Sequence, residues 1–128
     1  MATKETIEKY SIRFDEPFEE IGDGMWVIRD DFDNIDDIVV WFDEPLIVFR
    51  VKLFELKETG NNEALYRFML EKNSLLTHGA YAIEGNNVVI VDTLETENLD
   101  YNEFEGSINS LAMAIVEHYP EFKETFKI

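Results

Sequence analysis

The residues able to do chemistry are few in kind and poorly arranged for it. The chain has two histidines, His78 and His118, 40 positions apart, and no cysteine. An imidazole needs a close partner to act as a base or a metal ligand, and neither histidine has a His or Cys at ligand spacing. The absence of cysteine removes thiolate metal sites, thiol nucleophiles and disulfides together. Carboxylates are abundant: 28 Asp and Glu stand against 11 Lys and Arg, for a net charge of −17. At that density neighbouring acids arise by chance, so no pair marks itself as an acid–base couple. Asp30 to Asp37, DDFDNIDD, invites a calcium reading, but the ladder is wrong. Counted from Asp31, the sixth position is Asp36 where the loop needs glycine, and the twelfth is Phe42 where a bidentate Glu belongs. Weak calcium binding, or none, is the expectation. GxGxxG, GxxxxGK, GxSxG and HExxH are all missing. The sequence therefore predicts no catalytic, cofactor-binding or metal site. An enzyme with an unrecognised carboxylate site stays open as the alternative from another class.

Charge and length say more about partners. Between Lys72 and Lys123 there are nine acidic residues and no basic one. Such a surface repels phosphates, which argues against nucleic acid and anionic membranes as partners. It either serves solubility or attracts a basic peptide or protein. No apolar run approaches the ~18 residues of a membrane span, and the first ten residues lack a signal-peptide core, so a cytoplasmic location is expected. At 128 residues, 45% of them hydrophobic, the chain is expected to be a single domain over 1–128.

The elements that would position a binding surface are easier to name. Ile7, Tyr10 and Phe14 fall at helical spacing behind Thr3, a plausible cap, and Pro17 interrupts into an extended piece. Strands are predicted over Met25–Arg29, Ile38–Phe42 and Leu46–Phe54, the last two turned by Asp43-Glu44-Pro45. In the third of these, Ile47, Phe49, Val51 and Leu53 share a face assigned to the core, while Leu46, Val48, Arg50 and Lys52 share the other. That second face is either a half-exposed sheet surface with paired charges or a docking surface for an extended segment. Trp41, Leu46 and Val48 are the candidate partner contacts, with Trp41 as anchor unless it is buried under the first helix.

A helix starting near Glu63, capped by an Asn, carries Leu65, Phe68, Met69 and Leu76 in one stripe with Tyr66 and Leu70 beside it. The stripe is wider than one sheet contact needs. Leu65, Tyr66, Phe68 and Leu70 are accordingly candidate dimer contacts. His78 to Leu94 then reads as a hairpin turned at Gly85-Asn86-Asn87. Its unbroken Val88–Val91 run requires cover on both faces, from both flanking helices or from a partner. Asp100 and Glu103 form a capping box for a last helix with Phe104, Ile108, Leu111, Ala112, Ile115 and Tyr119 on one face. Gly106, Ser110 and Ala114 make a small-residue stripe that suggests close approach of another backbone. Pro120 is expected to end the helix. The sum is an α+β domain, order α-β-β-β-α-β-β-α, with a five-stranded antiparallel sheet.

Three stretches carry a family resemblance: Leu70 to Asn73 at the end of the second helix, Gly79-Ala-Tyr-Ala-Ile in the hairpin, and Asn98-Leu-Asp100 before the last helix. With the pattern of lengths and apolar positions over residues 25 to 122, the chain resembles the YbjN-like family, related to type III secretion chaperones such as the Tir chaperone. The resemblance implies a small, acidic, cytoplasmic, non-enzymatic protein, often a homodimer, that holds an extended segment of a partner protein. It also admits a sensory or regulatory domain that binds a folded signalling partner.

Overall fold

The computed structural model describes residues 2–30, 35–57 and 62–126. Its elements run α1 (Lys4–Phe14), β1 (Phe18–Gly22), β2 (Met25–Asp30), β3 (Ile35–Asp43), β4 (Leu46–Glu55), α2 (Glu63–Asn73), β5 (Ala80–Glu84), β6 (Asn87–Glu95) and α3 (Tyr101–Phe126). The strands form one antiparallel sheet in the order β1-β2-β3-β4-β6-β5.

The sheet has six strands rather than the expected five. The extra one is β1, the extended piece after Pro17, which pairs with β2. Its sequence, FEEIG, lacks the alternation of a half-buried strand because only Phe18 turns toward the core. At an edge, pairing on one side is enough to form a strand.

Local signals set most boundaries. Thr3 and Thr6 form a reciprocal capping box at the start of α1. Asp100 accepts from the Glu103 N–H at 2.8 Å, and Glu103 accepts from the Asp100 N–H at 3.2 Å. The β5–β6 turn is the two-residue Gly85-Asn86, with Gly85 at φ 59. Asn62 does sit at the α2 N-cap position, but its side chain makes no capping bond and donates to the Lys57 carbonyl instead.

Three expectations fail for tertiary reasons. Pro120 does not end α3, which runs on to Phe126. Beyond the proline, Phe122 is fully buried, with ring centroids 4.7 Å from Phe68, 5.3 Å from Tyr81 and 5.5 Å from Phe54. An interior proline costs about 3 kcal/mol, and burying one Phe side chain recovers roughly 1.5–3 kcal/mol of it. Gly106 is not a point of close approach: a Cβ there would meet nothing within 4 Å. In β4 a register shift between Lys52 and Phe54 turns Phe54 into the core in place of Leu53, which is half-buried.

The core lies on one face of the sheet. Trp26, Ile28, Ile38, Val40, Ile47, Phe49, Val51, Ile90 and Tyr81 meet Ile7 of α1, Leu65 and Met69 of α2, and Phe104, Ile108 and Leu111 of α3 in a single buried cluster. Phe49 and Phe104 meet edge to face at 5.5 Å, and Tyr10 packs on Phe104 at 5.6 Å. Alternation sends the neighbours of these residues to the opposite face, and none of Met25, Val27, Val39, Trp41, Val48 or Val89 belongs to that cluster. The helices thus cover only one side of the Val88–Val91 run. On the other side Val89, in register between Lys52 and Ala82, still reaches 2% exposure with no help from the helical core.

Candidate protein-binding surface

Registers place the candidate contacts together. Met25, Trp41, Val48 and Thr93 form one cross-strand row on the helix-free face. The adjacent row is Asp43, Leu46 and Glu95. Trp41 is 40% exposed, whereas Trp26, one strand away, is 1% exposed on the covered face. Trp41 is therefore not under α1. Leu46 and Val48 are half-buried beside it. The surface offers an aromatic ring, two aliphatic side chains and a pair of carboxylates at one end. Further along, Arg50 is paired with Glu84 at 2.8 Å, and Val39 and Val91 flank it in register.

The four residues of α2 divide. Leu65 is buried, and Phe68 meets Phe122 and Phe126 edge to face at 4.7 and 5.4 Å, so both face this chain's own core. Tyr66 and Leu70 are 40% and 70% exposed and help to line an apolar groove of about 240 Å³ between α2 and β5, with Ile83 on its far wall.

The two histidines converge on one cavity. His118 is buried near the middle of α3, and its Nδ1 lies 2.8 Å from the Tyr81 hydroxyl. Burial holds its pKa below the usual histidine value, and Lys72 pushes the same way against Glu117 and Glu121. Burial, with the same two carboxylates adding to it, raises the Tyr81 phenol. His78, His118 and Glu117 line one cavity of about 240 Å³, a meeting that their spacing in sequence did not reveal. Among the described residues, however, no set of three His, Cys, Asp or Glu could hold a metal. Half of DDFDNIDD, residues 31–34, lies outside the described residues. Among the described residues no helix is long and apolar enough to cross a membrane.

The fold is one already seen. YbjN of E. coli matches with a TM-score of 0.69 at 13% identity, over 94% of this chain and 93% of that one. The HopA1–SchA chaperone–effector complex matches with a TM-score of 0.65 at 12% identity, over 92% of each chain. No curated protein matches by sequence. The CesT_Tir_1 family profile matches residues 1–127. Matched over that length and carrying that fold, the chain belongs to the CesT_Tir_1 family of type III chaperones, and its function is protein binding of the chaperone kind.

Proposed function

We propose that this protein is a non-enzymatic, cytoplasmic chaperone-like module that holds an extended segment of a partner protein on the helix-free face of its sheet, around Trp41, Leu46 and Val48. The observation that carries this reading is Trp41 itself, exposed at the centre of a three-strand apolar row that no core residue joins. A large rigid ring gives contact area at little entropic cost, which is why such rings act as anchors. Asp43 and Glu95 beside it, and the net charge of −17, favour a segment with basic residues and oppose nucleic acid. Attraction at a distance speeds encounter and fades with added salt. A related fold caught with its effector, HopA1–SchA, supports a protein client.

The test is Trp41→Ala, followed by thermal unfolding and by recovery of the partner from the native cell. Unchanged folding with the partner lost supports the reading. Collapse of the fold, or recovery equal to wild type, removes it.

Homodimerisation belongs to the same proposal, with Tyr66 and Leu70 as the contact that α2 leaves exposed. Light scattering coupled to size exclusion decides it: a 15.0 kDa species at every concentration excludes the dimer.

A further inference from the structure

The two ends of the sheet are guarded differently, and one guard is a single side chain. At the end of α2 the Asn73 carboxamide donates from Nδ2 to the Tyr81 carbonyl at 3.2 Å. Its Oδ1 accepts from the Tyr81 N–H at 2.7 Å. A carboxamide has the donor and acceptor of a peptide unit, so Asn73 makes the two bonds that a neighbouring strand would make with Tyr81. Tyr81 therefore points its main-chain groups away from β6, and by alternation Ile83 does the same.

Edge strands are usually protected by charge, proline or a bulge. β1 has all of these: Pro17 precedes it, Glu19 and Glu20 lie within it, and its register shifts between Glu20 and Gly22. β5, AYAIE, has a regular register with β6, no proline, no basic residue, and Glu84 as its one charge.

β5 is also self-complementary. Paired antiparallel with a second copy about Ala82, each Tyr81 would oppose the copy's Ile83 in a hydrogen-bonded pair. Each Glu84 would oppose the copy's Ala80 rather than its own counterpart, so like charges stay apart. Ile83, 40% exposed, would then be covered.

We propose that Asn73 closes the β5 edge by standing in for a further strand, and so prevents main-chain pairing between β5 strands of two copies of this chain. The claim is separate from the partner site on the helix-free face, and it concerns backbone groups although Tyr66 and Leu70 line the same groove as Ala82 and Ile83. Those are side-chain surfaces, whereas this is an edge of backbone groups.

The chain has no cysteine, so Ala82→Cys supplies a lone thiol at the centre of the pairing that Asn73 would block. Under mild oxidation the Ala82→Cys protein is expected to stay unlinked. Ala82→Cys with Asn73→Ala is expected to give a disulfide-linked dimer, with Asn73→Ser as the second edge-opening substitution should the alanine variant not fold. Hydrogen exchange on the unmodified protein needs no variant: the Tyr81 amide should exchange about tenfold or more slowly than the Ile83 amide. Linking in the Ala82→Cys protein with Asn73 intact, in a Leu70→Glu background that removes the side-chain dimer contact through the shared groove, overturns the proposal. So does a folded double variant that stays unlinked, or a Tyr81 amide that exchanges as fast as that of Ile83.

Discussion

Val48 and Phe49 are chain neighbours, yet they belong to two different surfaces. Phe49 is fully buried against Phe104, while Val48 is half-exposed beside Trp41. The same strands build both faces of the sheet, and both faces are rich in apolar residues. What separates them is cover: the helical core lies over one side only. An apolar face with its own helices is a store of stability. One without them is a place where stability has been left unused, and a partner can collect it.

The sharpest way to break that comparison is to truncate one aromatic on each face. Phe49→Ala should cost about 3–5 kcal/mol, because a cavity opens in a packed site. Trp41→Ala should cost about 1 kcal/mol or less, since the ring is already partly in water. Chemical denaturation of the two variants measures both, and equal losses would erase the distinction between the faces.

Gly79 probes the closeness of packing on the covered side. Its φ is +80, and a Cβ would come 2.8 Å from the Val91 carbonyl oxygen and 2.9 Å from Leu111. Gly79→Ala should therefore cost about 2–3 kcal/mol from strain and overlap, read as a lower denaturation midpoint.

His118 gives the covered side a pH dependence. Its folded pKa lies below the ordinary value of 6.5, chiefly through burial. Above 6.5 the ring is neutral in both states and contributes no pH dependence. As pH falls from there toward the folded pKa, the unfolded chain takes up a proton that the folded one resists, so stability drops. Relieved repulsion among the many carboxylates works the other way in any variant. The comparison with His118→Gln isolates the ring: wild type should lose ground to the variant between neutral pH and the folded pKa. Parallel pH profiles would show that the buried ring pair with Tyr81 carries no such linkage.

The smallest effect sharpens the comparison from the other side. Gly106 lies on α3 where an added Cβ would meet nothing within 4 Å, so Gly106→Ala should stabilise the protein by about 0.5–1 kcal/mol through helix propensity. A loss instead would mean that α3 is packed on a side where the covered face has no need of it.

The sequence by itself determined what short-range rules can determine. Thr3, Asp100 and Glu103 cap their helices through bonds spanning three residues, and Gly85-Asn86 turns the hairpin because the chain must reverse with positive φ. Period-two alternation assigned Ile47, Phe49 and Val51 to one face and Leu46 and Val48 to the other. The pattern of lengths also reached the family. The face assigned to the core is the one the helices cover, yet the same alternation left Trp41 between burial under the first helix and exposure. That depended on where α1 and α3 cross the sheet, which contacts far apart in the chain decide. The same holds for Phe122 carrying α3 past Pro120, for His118 meeting Tyr81, and for β1, whose neighbour alone makes it a strand. Asn73 is the clearest case. In the sequence it is the last residue of a helix, and only the placement of β5 beside it turns its amide into the edge of a sheet.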